Sequence, residues 1–349
     1  MAALFRIPGV RLIGSLLLVI VGYRIVYLWI NDNVDPLMNF WIAQGAVYAT
    51  ALFGMVILVG LSGQVSLGNG ALMAVGGYGF GVASLAWGLD PFPAVVVSVL
   101  LGIGFGLVVG VIAARLRGPY LAGLTLALAV GLPAIANRFP AALGGEEGLF
   151  VDVSYPPEQA VTAFGVRLWG PYDLDFPVER WQAWLAGALM FATLFVAVNL
   201  ARGRQGRIWR AARDNPVAAA LCGVNPANAK VLAFTVSSAA AAAAGAAFAQ
   251  LLGVVSPGAF ALGLSLSLLV GVVLGGRSSL TGAFIGAAIL VALPQLVVQA
   301  AGSGGWDVRV TDNLPTILYG LLVVLVVILA PGGIVGSLTS GWRRLRHRG

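Results

Sequence analysis

Apolar runs long enough to cross a bilayer fall near residues 12–30, 38–60, 70–88, 91–114, 119–138, 183–199, 231–251, 261–276, 280–299 and 314–330. The pattern predicts an all-α, polytopic integral membrane protein with about ten transmembrane helices. The 70–88 run is rich in glycine and the 261–276 run is short, so these are the candidates for broken or re-entrant segments. The run at 12–30 is followed by Asn-Asp-Asn-Val-Asp rather than by small residues, and it reads as a retained first span, not a cleaved signal.

Charge between the runs fixes an orientation, because Lys and Arg collect on the cytoplasmic side. With Arg6 and Arg11 inside, ten crossings also place inside Arg115 and Arg117, the arginines from Arg202 to Arg213, Arg277, and Arg343, Arg344, Arg346 and Arg348. The same count places outside Asp32 and Asp35, Asp90, Asp307 and Asp312, and the loop 139–182. That loop carries Glu146, Glu147, Asp152, Glu158, Asp173, Asp175 and Glu179 against Arg167 and Arg180. An even number of spans with both termini cytoplasmic is the expected topology.

Composition sharpens what is excluded. Of 349 residues, 59% are hydrophobic and 9% charged, against roughly 45–50% and about 25% in soluble domains, so a water-soluble fold is ruled out. The net charge of +7 sits in blocks beside apolar runs, which fits membrane orientation and gives no reason to expect nucleic acid. His347 is the only histidine and Cys222 the only cysteine, so neither a Ser-His-Asp triad nor a His or Cys metal cluster can be assembled within one chain, and no catalytic or metal-binding residue is assigned. Lys230 is the only lysine and follows Ala229; a phosphate-binding loop of the Gly-Lys-Ser/Thr type is therefore absent, and no cofactor is expected in this chain. None of the acids falls inside the proposed spans, which argues against a proton-relay carrier.

Polar residues within apolar runs are the candidates for a solute pathway. Gln64, Ser66 and Asn69 stand among Gly63, Gly68 and Gly70, where a broken helix would offer main-chain groups to a zwitterion without a buried charge; Thr125 and Asn137 are further candidates. The loop 200–230 is the other informative stretch, with five arginines and one lysine against one aspartate. Arg207, Arg210 and Asp214 recur at helical spacing, with Arg213 beside them. Asn215 before Pro216 fits an N-cap with proline at the first helical position, Gly223 fits a left-handed helix stop, and Asn225–Pro226 repeats the cap signal. Two short capped helices between spans would form a knob shaped to dock on something; a merely solvated, orienting positive loop is the alternative.

These segments resemble the permease subunits of ABC importers, specifically the branched-chain amino acid permease family of LivM type. The matching stretches are GQVSLGNGALMAVGGYG (63–79), RLRGPYLAGLTLALAVG (115–131), GGEEGLF (144–150), GRIWRAARDNPVAAALCGVNPANAKVLAF (206–234) and GVVSPGAFALGLSLSLLVGVVLGGRSSLTGAFIGAAIL (253–290). The resemblance implies one permease domain over 1–349 in a prokaryotic cytoplasmic membrane, with 139–182 as an extracytoplasmic loop and 200–230 as a cytoplasmic coupling loop. It implies four kinds of partner: a second homologous permease of LivH type, two ATP-binding subunits that hold ATP and Mg, an extracytoplasmic solute-binding protein, and membrane lipid. The cargo implied is a branched-chain or other amino acid; urea or short amides in the same machine, or a self-sufficient secondary transporter or channel, are the alternatives. Arg207, Arg210, Arg213, Asp214, Asn215 and Gly223 fall on the segment that contacts the ATPase in such importers. Two positions depart from the family pattern: Ala220, where a Glu is usual, and Asn69, where a His is usual.

Overall fold

Proline opens most of the helices. Lacking an N–H and fixed near a helical φ, it suits the first turn; Pro133 and Pro294 lie inside helices, as membrane helices tolerate. A computed structural model describes residues 8–32, 35–116, 118–151 and 178–304, with isolated positions 314, 317, 318 and 321. Its long helices are α1 (Pro8–Asp32), α2 (Pro36–Met55), α3 (Asn69–Trp87), α4 (Pro91–Arg115), α5 (Pro119–Arg138) and α6 (Val178–Arg202). Two short helices, α7 (Arg204–Asp214) and α8 (Pro216–Leu221), precede α9 (Pro226–Leu252), α10 (Leu262–Gly275) and α11 (Leu280–Gly304). The Asp35 side chain accepts from the Leu37 N–H and starts α2. Gly88, at φ 59°, stops α3 in the left-handed conformation that glycine tolerates.

The first nine apolar runs lie on these helices. Seven helical stretches among the described residues are long and apolar enough to cross a membrane, and Gly14–Val26 and Leu280–Leu296 are shorter apolar helical stretches. The chain is an all-α, multi-pass membrane protein, its only described strands being the two-residue pair β1 (Leu149–Phe150) and β2 (Val254–Val255). The tenth run at 314–330 lies, apart from four isolated positions, outside the described residues. So do Arg6, Arg117, Asp152, Glu158, Arg167, Asp173, Asp175, Asp307, Asp312, the C-terminal arginines and His347.

Helix α9 is the axis of the bundle, because its run Ala239–Ala244 followed by Gly245 lets three neighbours approach backbone to backbone. A Cβ on Gly76 of α3 would overlap the Ala242 backbone, one on Gly102 of α4 the Ala242 methyl, and one on Gly54 of α2 would lie 2.8 Å from that of Ala240. Helices α4 and α5 lie on the perimeter, with Leu100, Val108, Val130 and Ile135 exposed along them. Such apolar faces suit lipid or another membrane helix.

Alternation of the helices sorts the charges between two ends. Arg115, Arg202, the α7 arginines, Lys230 and Arg277 lie at one, called here the knob end. Asp35, Asp90, Glu146, Glu147 and Glu179 lie at the other with Arg138 and Arg180, around the β1–β2 pair. There Gln182 Nε2 donates to the Gln250 carbonyl at 2.8 Å and ties α6 to the end of α9.

The runs 70–88 and 261–276, the candidates for broken or re-entrant segments, are continuous helix over Asn69–Trp87 and Leu262–Gly275, and the chain is interrupted just ahead of each, in the first case among the glycines around Gln64 and Ser66. The glycines of 70–88 serve close packing and leave α3 intact; the chain is irregular over 62–68 instead. Ahead of α10, residues 254–260 form β2 and the 3-10 turn Pro257–Phe260, which shortens α10 to 14 residues.

Candidate functional site

The irregular segment 62–68 begins where α2 loosens into a π-helical turn, Val56–Leu61. Gly60 within that turn has no room for a side chain, since a Cβ would overlap the Arg277 carbonyl. At Gly63 the backbone turns back with φ 73°, a conformation that glycine adopts without strain. The amides of Ser62 and Gln64 close on the Ile57 and Leu58 carbonyls at 3.0 Å each.

Beyond this turn the segment is held by side chains from distant helices. Thr125 Oγ1 accepts from the Leu67 N–H at 3.0 Å and sits within 3.2 Å of the Leu121 carbonyl, to which it donates. Ser66 Oγ accepts from the Gly68 N–H at 3.3 Å. Helix α3 then starts inside the bundle, where the Gly70 N–H donates to Ser265 Oγ at 2.9 Å. Ser265 belongs to α10, just after the 3-10 turn, so the two interrupted segments meet across the bundle. Asn69 is fully buried at the first position of α3, and among the described residues neither atom of its amide has a hydrogen-bond partner.

Of the five pathway candidates, Ser66, Asn69 and Thr125 are therefore brought together, while Gln64, on the same segment, turns its amide to Ser62 and the Lys230 carbonyl. Asn137 is not: it is exposed near the far end of α5, about 18 Å along the helix from Thr125 at 1.5 Å per residue. Ser265 was missed by the sequence reading, although a serine within an apolar run is the signal that singled out Thr125.

The knob is α7 and α8. Trp209 is its anchor, fully buried, with Nε1 donating to the Ala229 carbonyl at 2.9 Å. Three of its arginines bond their own chain: Arg207 Nη1 donates to the Gly203 carbonyl at 3.4 Å, Arg210 Nη1 to the Ala201 carbonyl at 3.3 Å, and Arg213 Nη1 to the Gly60 carbonyl in the π turn. Arg213 also pairs with Asp214 at 2.8 Å. Asn215 Oδ1 accepts from the Val217 and Ala218 amides at 3.1 and 2.9 Å, capping α8. Gly223, at φ 80°, turns the chain toward Asn225, which caps α9 in the same way. Among the exposed side chains of this scaffold, which include Arg204, Arg207 and Asp214, two are large and apolar: Val217 is 69% and Leu221 85% exposed, one helical turn apart.

Between the knob, the segment 62–65 and the α4–α5 turn lies an open cavity of about 1010 Å³. Gln64, Leu116, Leu121, Arg213, Val217 and Lys230 are among the residues that line it.

The family described as branched-chain amino acid transport system / permease component matches residues 37–330. The chain belongs to this permease family. It is 30% identical over 304 residues to the high-affinity branched-chain amino acid transport system permease protein LivM of Escherichia coli K12, covering 83% of this chain and 68% of that one. It is also 32% identical over 181 residues to the autoinducer 2 import system permease protein LsrC of Enterobacter sp. 638, half of each chain. To the LivH permease protein of E. coli K12 it is 24% identical over 306 residues, covering 84% of this chain and 93% of that one. No solved structure matches the chain. The family match spans α2 through α11 and so takes in the irregular segment 62–68, the knob and the cavity of this permease.

Proposed function

We propose that residues 1–349 form one permease domain of an ATP-driven importer in a prokaryotic inner membrane, moving branched-chain or related amino acids released by an extracytoplasmic binding protein. It works beside a second, homologous permease of LivH type and two ATP-binding subunits, which hold the ATP and Mg; the chain itself carries out no covalent chemistry. The observation that carries this reading is the connection between the knob and the irregular segment 62–68. A capped, apolar-tipped helix pair is joined by Arg213 to the π turn, and that turn leads directly into Gln64, Ser66 and Asn69. Movement imposed on the knob by closing ATPases would reach the segment that handles the solute. Gln64, Ser66, Asn69 and Thr125, with Ser265, form the pathway's polar surface, and the N-terminus of α3 offers main-chain N–H groups to a carboxylate. The knob arginines, Asp214, Asn215 and Gly223 act by holding the docking tip in place. Similarity to LsrC, named for a different cargo, favours a fold whose solute is set partly by the binding protein.

The decisive experiment is copurification of this chain with its neighbouring transport subunits, followed by ATP hydrolysis with each receptor-bound solute. Stimulation by leucine, isoleucine or valine is the expected result. Stimulation only by urea or short amides would reassign the cargo, and uptake by the chain alone would make it a secondary carrier.

Ten spans with both termini cytoplasmic, and the knob inside, are the topology we adopt, supported by the basic residues at the knob end. Because Cys222 is exposed, labelling requires a Cys222→Ser background. An impermeant maleimide added outside should then modify Glu146→Cys and spare Arg204→Cys; the reverse would invert the topology.

A further inference from the structure

Between the Asn69–Ser265 site and the end that carries Glu146 and Glu147, the bundle is closed by aromatic rings. The Phe260 carbonyl lies beside Gly70 and the tip of its ring beside Gly77: a Cβ on Gly70 would be 3.5 Å from the carbonyl oxygen, and one on Gly77 3.0 Å from Cζ. These glycines are about 10 Å apart along α3 at 1.5 Å per residue. The Phe260 side chain therefore leads away from the contact of Gly70 with Ser265 and toward the far end. Phe248 of α9 meets that ring edge-on at a centroid distance of 5.7 Å, and Tyr78 of α3 lies 6.5 Å from it, both in the range of aromatic contacts. All three rings are buried. A zwitterion forced between them would leave its charges without water or polar partners, which is strongly unfavourable, and apolar constrictions exclude water as well.

Two features suit this closure to movement. Phe260 ends the 3-10 turn Pro257–Phe260, which is flanked by Ser256 and Ala261 in non-helical conformations and so continues neither α9 nor α10. Within the turn Gly258 is exposed, and nothing lies within 4 Å of where its Cβ would be. The Tyr78 hydroxyl is buried without a hydrogen-bond partner among the described residues. A buried donor left unpaired disfavours the closed arrangement, and a wetted passage would satisfy it.

We propose that Tyr78, Phe248 and Phe260 form the outer gate of the solute pathway. At rest the rings seal Asn69 and Ser265 from the receptor side. Docking of the loaded receptor displaces the Phe260 turn, the solute passes, and the Tyr78 hydroxyl gains water or solute as a partner. This role rests on the importer reading above.

The test uses the assembled complex in proteoliposomes, with the outer end facing the bath and the knob end facing a lumen that holds ATP. In a Cys222→Ser, Ser265→Cys background without receptor, a membrane-impermeant methanethiosulfonate in the bath should modify the introduced thiol slowly. Phe260→Ala should raise that rate at least tenfold. Phe248→Ala, on a different helix, should do the same and decides the matter even if the first variant does not assemble. Tyr78→Phe, which keeps the ring, should remain protected. With Ser265 restored, Phe260→Ala should take up labelled leucine without receptor at least fivefold faster than the receptor-free wild type. Where receptor-delivered uptake by the wild type is normal, fast modification with all three rings in place overturns the gate alone, as do equal modification rates with and without the Phe260 or Phe248 ring. Receptor-free uptake that stays at the wild-type level in Phe260→Ala does so too. Absence of any aliphatic amino acid uptake by the wild-type complex with receptor overturns the importer reading, and the gate with it.

Discussion

Replacing Leu221 with Asp is expected to cut solute uptake at least 30-fold and to strip the ATP-binding subunits from the purified permease. Single exposed apolar side chains are ordinary on protein surfaces, but Leu221 and Val217 are placed with unusual care. They sit one turn apart on a six-residue helix that Asn215 caps and Gly223 ends, on a base anchored by the buried Trp209. A helix so short has little stability of its own, and the capping residues act together to hold its two apolar side chains outward. Buried at an interface, an anchor of this kind typically contributes about 2–4 kcal/mol, roughly 30- to several-hundred-fold in affinity. Leu221 is 85% exposed, so Asp there removes almost no packing from the permease itself, and membrane insertion should be unchanged. Leu221→Met, which keeps the apolar volume, should retain most of the uptake. Normal copurification and uptake by Leu221→Asp would show that the knob is not the docking element.

Much of this architecture is legible along the chain because it is local. Proline at a first helical turn, asparagine one residue before it and glycine just after a helix are signals carried by adjacent residues, and Asn215–Pro216, Gly223 and Asn225–Pro226 all adopt the geometry those signals specify. Glycine-rich runs are ambiguous, since glycine both loosens a backbone and permits close packing. In 70–88 the second role prevails: Gly76 and Gly77 meet α9 inside an unbroken helix, and the break falls earlier, at Gly63. The arginines of the knob show a different limit. Their spacing reveals a helix but not a destination, and Arg213 bonds a carbonyl 153 residues earlier in the chain. Thr125 with Leu67 and Ser265 with Gly70 are likewise long-range pairs, which hydropathy along the chain does not encode. Asn137 illustrates the converse, since it shares a helix and a polar character with Thr125 yet lies too far along that helix to join it.

Arg213→Met is expected to leave the complex assembled and able to hydrolyse ATP on receptor addition, while uptake per ATP falls about tenfold. The other knob side chains end on Ala201, Gly203 and Ala229, at the feet of α6 and α9. Arg213 reaches the Gly60 carbonyl instead, in a π turn whose hydrogen bonds are already displaced from α-helical register. Such a turn has a nearby α-helical alternative and recurs at functional sites. A pull on Gly60 therefore acts at the point where α2 can rewind and draw Gln64, Ser66 and Asn69 with it. A charge-assisted hydrogen bond contributes about 1.5–3 kcal/mol, and partial exposure of Arg213 places it at the lower end, roughly tenfold. Met preserves the stem that packs on Gly63, where a Cβ would lie 2.5 Å from Arg213 Cγ, so the variant removes the bond and keeps the contact. Arg213→Lys restores a single charged donor and should recover part of the coupling. The ratio of solute imported to ATP hydrolysed separates this role from a structural one, because a merely destabilised complex loses both quantities in proportion. An unchanged ratio in Arg213→Met would mean that knob movement reaches the irregular segment 62–68 by another route, with the Trp209 anchor on α9 as the next contact to vary.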